Sequence, residues 1–392
     1  MDANLFVNPD MGTIVEIGGG KGGVAFVPAD LPRELALDLD VWELLAEAAA
    51  RIGQLAGEMR GGGGGLRIES RALIRPLRMR EAVRSSQTEG IDVVGDDLLL
   101  LDLAERGEEK GTNRHDPARE AVNLVDVLDA SDAYASRGFT VDLVKDLHRR
   151  LMTDVRGQDK RPGEMRIMQV VIGSDHRFVP PPADRVYDLL QQWSAWAEDD
   201  SIRIHPVVRA AMLHYQFETI HPFLDGNGRV GRLLWSMMLS RWTPLGEAGW
   251  LYVSPFVEQH RREYADAMFD VSAKGDWGQW LRFALRAVAH EALDSHDRVA
   301  ALIDLWKRWR EIVEEQGLKV RTLSLLESLL SRPVVDIRTA AKVMDSAYNT
   351  ARTDLERLVG FGVLREIEGR TPTTYIAPDV RRITLDDQWR TG

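Results

Sequence analysis

Residues 221–232 of this 392-residue chain read HPFLDGNGRVGR and continue into the apolar triplet Leu233-Leu234-Trp235. Apolar residues recur at helical spacing after Gly228, which predicts a helix, a tight glycine loop and the start of a second helix. Gly226 and Gly228 allow close approach to the loop backbone, and the unpaired N–H groups of a helix N-terminus favour an anion there. The segment therefore predicts an anion-binding loop between two helices.

Two arginines, Arg229 and Arg232, stand three residues apart and share one face of the second helix. The helix dipole opposes cations in a first turn by roughly 0.3–1 kcal/mol each. A bound polyphosphate would compensate that cost, and a guanidinium matches phosphate geometry better than an ammonium does. A pair of solvated surface arginines is the alternative, which the adjoining glycine loop disfavours.

Two further side chains in this segment can take part in chemistry. Asp225 can hold a magnesium ion, because magnesium usually takes one or two carboxylates together with phosphate oxygens and water. His221 is the nearby residue that exchanges a proton close to neutral pH, so it is the candidate general base. Taken alone, His221 is more often a structural histidine. Phe223 is predicted to be a hydrophobic anchor.

The same glycines satisfy a second pattern, because Gly226, Gly228 and Gly231 also fit G-x-G-x-x-G, the dinucleotide-binding fingerprint. That fingerprint requires a preceding strand within a βαβ unit. Residues 209–220 instead have helical spacing, and no alternation of strands and helices follows. The sequence therefore disfavours a dinucleotide site.

The segment resembles the Fic-family signature H-x-F-x-[DE]-G-N-G-R-x-x-R and matches it at every defined position. The resemblance implies that His221 deprotonates a Ser, Thr or Tyr hydroxyl of a protein, which attacks the α-phosphate of ATP and releases pyrophosphate. Asp225 would bind Mg²⁺. The implied nucleotide site consists of Gly226, Asn227, Gly228, Arg229, Gly231 and Arg232. Transfer of UMP or GMP, and removal of AMP, stay open as alternatives.

A short β-hairpin is predicted between residues 168 and 179, before three prolines. Together with Arg161-Pro162-Gly163 and Arg166 it resembles the flap of Fic proteins. The resemblance implies that the flap, with Val170, Val171, Ile172 and Gly173, aligns a target segment by β-strand addition.

A regulatory motif is indicated upstream, where residues 85–90 read SSQTEG and resemble the inhibitory signature [ST]-x-x-x-E-[GN]. Its defined residues are Ser85, Glu89 and Gly90. The helix dipole disfavours Glu89 in a last turn, and the resemblance implies that Arg232 is its cationic partner. An ordinary surface glutamate is the alternative.

The fold is predicted to be mainly α-helical, with three parts. Residues 1–112 would form an N-terminal helical segment carrying the inhibitory helix at about 70–90, residues 113–316 the Fic core, and residues 317–392 a winged helix. The first 35 residues are expected to be irregular, and the glycine run 61–65 to be a loop. The tryptophans of segment 277–313 are expected in the core.

The composition limits the classes of partner. Sixty-one acidic residues against 50 basic ones give a formal charge of −11, which disfavours wholesale nucleic-acid binding. Six basic and six acidic residues balance between positions 336 and 370. The C-terminal part is therefore expected to bind protein or form a homodimer, with a DNA-binding regulator as the alternative. The chain has no cysteine, secretory pattern or membrane-length apolar run, which favours a cytoplasmic protein.

Overall fold

The structure is a computed structural model that describes residues 1–18, 23–61, 70–106, 117–130, 134, 137–153, 155, 161–173, 177–246 and 251–391. The fold is mainly α-helical, as predicted. The helices are α1 (Leu39–Gly61), α2 (Ser70–Thr88), α3 (Gly95–Arg106), α4 (Pro117–Asp129), α5 (Val141–Leu151), α6 (Val186–Ala197), α7 (Pro206–Ile220), α8 (Asn227–Trp242), α9 (Ser254–Gln259), α10 (Arg261–Lys274), α11 (Trp277–Glu315), α12 (Arg321–Ser331), α13 (Ile337–Val343), α14 (Tyr348–Gly360) and α15 (Pro378–Leu385). The strands are β1 (Gly12–Ile17), β2 (Gly23–Pro28), β3 (Val334–Asp336), β4 (Arg365–Ile367) and β5 (Thr374–Ile376). Apart from Gly61, which ends α1, the predicted glycine loop lies outside the described residues.

The two helices of the decisive segment, α7 and α8, lie at the centre of the molecule and pack against each other. Both are buried on nearly all sides, which suits helices that are surrounded by other helices. Tryptophans from the neighbouring helices α6 and α11 bind the backbone of α7. Trp193 and Trp280 donate indole hydrogen bonds to the carbonyls of Leu213 and Ala211. The prediction that the tryptophans of α11 belong to the core is confirmed, since Trp280, Trp306 and Trp309 are buried.

Helix α2 is also internal, although its sequence is rich in charge. It packs against α4, α9, α12 and α15. Arg75, Arg78, Arg80 and Glu81 are all buried along it. The three arginines form ion pairs within the protein, for example Arg80 with Glu291 at 2.7 Å, and Glu81 accepts hydrogen bonds from Ser254. The prediction that a helix ends next to Gly90 is accurate to one residue, because α2 ends at Thr88.

The N-terminal residues form an antiparallel hairpin, so the expectation of an irregular segment was wrong. Strands β1 and β2 pair from Gly12 with Pro28 to Ile17 with Gly23. β-Branched residues at positions 13–15 and 17 favour the extended conformation and outweigh the glycines at the hairpin's end. The backbone N–H of Phe26 donates to the carbonyl of Val179 at 2.9 Å, which ties the hairpin to the segment after the flap.

The C-terminal part, for which a winged helix was predicted, contains three helices followed by a strand pair. Helices α12, α13 and α14 precede β4 and β5, and the additional strand β3 pairs with β5 to give the antiparallel order β3-β5-β4. The winged-helix interpretation of this arrangement stays a prediction. Helix α15, which was not predicted, returns from β5 to pack against α2 and α11.

The flap is less regular than the predicted hairpin. Its two arms meet at a single antiparallel bridge, with the N–H of Ile172 donating to the carbonyl of Phe178 at 3.1 Å. Residues 174–176 lie outside the described residues. Across the part of the chain that the structure describes, no helix combines the length and apolar character that crossing a bilayer requires.

Candidate active site

His221 ends helix α7 in a left-handed backbone conformation, with φ of 51°. Its Nδ1 lies 3.3 Å from the carbonyl oxygen of Glu218, one turn earlier. Because a carbonyl can only accept, Nδ1 carries the proton, and Nε2 keeps its lone pair. Burial lowers the pKa of His221 to about 4. At neutral pH the imidazole is therefore in the form that a general base requires.

The loop after His221 is closed by its own side chains. Asn227 exchanges two hydrogen bonds with the backbone of Phe223, at 2.8 and 2.9 Å, and is itself buried. Its amide therefore shapes the loop. Gly226, with φ of 77°, makes the turn into α8, and a side chain there would meet the sulfur of Met152. Phe223 is fully buried, as predicted for an anchor.

His148 on α5 supports this loop from behind, and no motif in the sequence pointed to it. Its ring stacks on Phe223 with centroids 3.7 Å apart. Nδ1 accepts the N–H of Gly163 at 2.8 Å, so Nε2 is the protonated nitrogen and donates to the carbonyl of Asp225 at 3.0 Å. Burial lowers the pKa of His148 to about 4, which keeps this arrangement neutral and fixed.

Asp225 is the carboxylate that the loop offers to a metal ion. Its side chain is 38% exposed, and its Oδ1 accepts the N–H of Gly226 at 2.7 Å. A partly exposed carboxylate at a phosphate loop suits Mg²⁺, which takes few protein ligands and completes its shell with phosphate and water. Among the described residues, no cluster of three or more His, Cys, Asp or Glu forms an all-protein metal site.

Both arginines of the motif are buried, so the alternative of solvated surface residues was wrong. Arg229 forms an ion pair with Glu120, a buried residue of α4, and also contacts the sulfur of Met152. Glu120 lies 109 positions away in the sequence and was not predicted. Its carboxylate compensates the cost of burying the guanidinium.

Arg232 is held by the residues of the upstream motif. It donates to the Ser85 hydroxyl at 3.2 Å, to the Ser85 carbonyl at 2.9 Å and to the Glu89 carboxylate at 2.8 Å. Gly90, with φ of 77°, closes the end of α2 just beyond Glu89. Burial raises the pKa of Glu89, but the Arg232 guanidinium lowers it by more. The pKa of Glu89 is therefore below its ordinary value.

The Glu89 carboxylate lies directly against the N-terminus of α8. A β-carbon placed on Gly228 would come within 2.2 Å of Glu89 Oε1 and 2.9 Å of an Arg232 nitrogen. Gly228 thus leaves the space that an anion fills next to the helix N-terminus, and a carboxylate fills it in this structure. Gly231 has a packing role instead, because a β-carbon there would be 2.0 Å from Glu218 Oε1.

The motif and its surroundings match a known family. Residues 138–239 match the Fic/DOC family, and residues 42–131 match the Fic/DOC family N-terminal domain. The chain contains a Fic/DOC domain. It is 36% identical over 139 residues to the protein adenylyltransferase Fic of Culex quinquefasciatus, covering 35% of this chain and 25% of that protein. It is 31% identical over 148 residues to the protein adenylyltransferase fic-1 of Caenorhabditis elegans, covering 38% and 27%.

The chain thus spans about a quarter of the length of these curated relatives. A solved Fic family protein from Desulfovibrio desulfuricans G20 shares the fold with a TM-score of 0.54 at 21% identity. That similarity covers 88% of this chain and 97% of the other. It extends the likeness in fold well beyond the segment of sequence identity.

The flap overhangs a cavity of about 480 Å³ that opens beside the end of α7. Flap residues Ile172, Gly173 and Phe178 form one wall, and Met268 and Phe269 of α10 belong to the opposite one. Glu218 and Thr219, just before His221, complete the lining. The cavity therefore adjoins the motif. Of the predicted docking residues, Val170 and Ile172 are half-buried, while Val171 and Gly173 are exposed.

Proposed function

We propose that this protein is an adenylyltransferase, which transfers AMP from ATP to a Ser, Thr or Tyr hydroxyl of a protein and releases pyrophosphate. The observation that carries the proposal is the neutral imidazole of His221, with its Nε2 unprotonated, beside a helix N-terminus that has two buried arginines. The names of the relatives that match around this site support AMP as the transferred group.

The site supports an in-line displacement on the α-phosphate. Nε2 of His221 takes the proton of the target hydroxyl, whose oxygen forms a bond to the α-phosphorus while the bond to the pyrophosphate oxygen breaks. The backbone N–H groups at the start of α8 and the two guanidiniums stabilise the charge on the phosphates. Asp225 would hold Mg²⁺, which neutralises phosphate charge when bound.

The cavity between the flap and α10 supports a position for the nucleoside. Its walls are largely aromatic and aliphatic, with Phe178 and Phe269 among them, which suits the faces of a base. A nucleotide with its phosphates at the loop would direct its base into this space. Use of another base stays open as an alternative to ATP.

We further propose that Glu89 inhibits the enzyme. Its carboxylate occupies the position beside Gly228 and Arg232 that phosphate oxygens would take. Arg232 is almost fully buried, whereas 36% of the Glu89 side chain is exposed. Rotation of Glu89 into solvent would therefore vacate the site while the arginine stays in place.

The C-terminal part supports binding of protein in preference to DNA. Arg352 on α14 is paired with Glu356 at 2.9 Å, so its charge is balanced locally. Tyr348 and Phe361, at the two ends of α14, are partly exposed apolar residues. A neutral surface with exposed aromatic rings is typical of protein interfaces, including homodimers.

The test compares Glu89→Gly with the wild type by intact-mass spectrometry after incubation with ATP and Mg²⁺. We expect Glu89→Gly to transfer roughly tenfold or more adenylyl groups than the wild type, to itself or to lysate proteins, because the competing carboxylate is gone. Adding His221→Ala should lower transfer about 10²–10⁴-fold while nucleotide binding persists. Glu315→Gly, at the exposed end of α11, is the control. No gain of adenylyl mass by Glu89→Gly would contradict the proposal.

A further inference from the structure

Arg166 lies between the flap and the catalytic loop, and its polar contacts in the described residues are all with backbone carbonyls. Its Nε donates to the carbonyl of His221 at 2.9 Å, and Nη2 donates to Ile220 at 3.4 Å. The same guanidinium donates to the carbonyl of Met168 at 3.3 Å, where the flap begins, and to the carbonyl of Pro181 at 2.5 Å, just after it ends. One buried side chain thus joins both arms of the flap to the base.

The contacts with α7 explain how the charge of Arg166 is tolerated. Ile220 and His221 carry the last carbonyls of α7, which have no partner within the helix and form the negative end of its dipole. Among the described residues, Arg166 has no carboxylate at ion-pair distance, and it is only 2% exposed. The helix end and the flap carbonyls together supply the acceptors that a buried guanidinium needs.

The left-handed conformation of His221 needs such support. A non-glycine residue in that conformation is strained, because its β-carbon comes too close to the following carbonyl oxygen. The backbone N–H of Arg166 donates to the carbonyl of Pro222 at 2.9 Å, so Arg166 binds the chain on both sides of the His221–Pro222 peptide. These bonds fix the direction in which the imidazole leaves the backbone.

We propose that Arg166 is a positioning residue that couples the flap to the base by holding His221 in its left-handed conformation. This inference rests on the proposed function. It adds that target docking on the flap and orientation of the base depend on one guanidinium. A flap displaced from Met168 or Pro181 would also disturb His221.

Several charges act on the His221 imidazole. Burial lowers the pKa of His221 most, the carbonyl of Glu218 raises it, and Arg166 lowers it further. Glu89 from α2 and Asp225 from the loop raise it. The carboxyl of Glu218, on α7, lies 4.0 Å from Nδ1. Because Arg166 is the cation in this set, its removal should shift the pKa of His221 upward.

The test uses two substitutions in the Glu89→Gly protein. Arg166→Lys keeps the charge but loses the planar fork, whereas Arg166→Gln loses both. We expect both to lower kcat about 100-fold, since a displaced base loses its near-attack geometry, with KM for ATP nearly unchanged. Only Arg166→Gln should move the acid limb of the pH–rate profile to higher pH. Arg209→Lys is the matched control, because Arg209 also donates to three backbone carbonyls, far from the site.

Two measurements do not need activity and separate this inference from the proposed function. Amide hydrogen exchange at residues 167–173 and 177–179 should accelerate in both Arg166 variants, and NMR titration should show the raised pKa of His221 in Arg166→Gln alone. If the Glu89→Gly parent transfers no AMP, the proposed function fails. The two measurements still decide whether Arg166 couples the flap to His221. Unchanged exchange and unchanged kcat in Arg166→Lys, or equal effects from Arg209→Lys, would overturn the coupling.

Discussion

Glu218 lies one turn before His221, and its carboxyl is enclosed between the imidazole and the backbone of Gly231. One of its oxygens is buried without a hydrogen-bond partner among the described residues. Burial raises the pKa of Glu218 to about 8, although Arg232 acts in the opposite direction. At neutral pH this residue is therefore a neutral acid beside the imidazole of His221.

We expect Glu218→Gln to stabilise the protein, and to do so more at pH 8 than at pH 5. The folded carboxyl keeps its proton up to about pH 8, whereas the unfolded one releases it near 4.5. Across that interval the folded state binds the extra proton, so the wild type loses stability as pH rises. Glutamine does not titrate, and the gain should be on the order of 1–3 kcal/mol at pH 8. Thermal unfolding at both pH values measures it, with exposed Glu43→Gln as control; an equal change at both would contradict this assignment.

The sequence predicts which residues gather within the motif, but not the distant residues that complete the site. His221, Asp225 and the two arginines lie within one helix–loop–helix, so their spacing alone brings them together. Glu120 contacts Arg229 across 109 positions, and His148 reaches Asp225 across 77. Neither has a local pattern that distinguishes it from an ordinary helical glutamate or histidine. Only the packing of α5 on α8, and of α4 on α5, brings them there.

The end of α2 is the element on which inhibition would depend. The N–H of Gly90 donates to the carbonyl of Gln87 at 2.9 Å, and that of Ile91 to Ser86 at 3.2 Å. These two bonds form the Schellman closure, which needs a left-handed residue at Gly90. Glu89 lies between the residues that these two bonds join. The turn therefore sets the direction of its side chain toward Arg232.

Gly90→Ala should raise basal AMP transfer up to about fivefold, because alanine strains the left-handed turn by about 1 kcal/mol and favours its opening. The space around Gly90 is open, so the cost is conformational and not steric. Gly362→Ala, beyond α14, imposes the same strain away from the site, since Gly362 has φ of 74° and equally open space. Transfer assays should show an increase for Gly90→Ala alone, and none when Glu89→Gly is already present. An equal increase in both glycine variants would argue against this mechanism.

Helices were predictable where an apolar face recurs, as it does in α1, α4–α7 and α11–α14. The β1–β2 hairpin was missed because glycines next to its strands suggested irregular chain. Helix α15 was missed because its eight residues carry only Val380, Ile383 and Thr384 as a buried face. Such a short helix is stable only against the surface that receives it, and the sequence does not reveal that surface.

The C-terminal residues of the chain return to α2, the helix that carries Glu89. Arg84 on α2 pairs with Asp387 at 2.6 Å, and Arg381 of α15 pairs with Asp96 of α3 at 2.7 Å. Trp389 donates to Asp294 on α11 at 3.3 Å, and Asp294 pairs with Arg80 of α2 at 3.3 Å. The end of the chain therefore adds to the contacts that hold α2 in position.

Asp387→Asn should raise basal transfer, because it removes the ion pair with Arg84 one turn before Glu89. The increase should not exceed about fivefold, since a partly exposed pair contributes at most about 1 kcal/mol. Asp379→Asn is the matched control, because Asp379 pairs with Arg382 inside α15 and does not bind α2. Transfer by each variant is measured with and without Glu89→Gly. If Asp387→Asn also increases transfer in the Glu89→Gly protein, its effect does not pass through the inhibitory helix, and the C-terminal contacts would stabilise the fold without restraining Glu89.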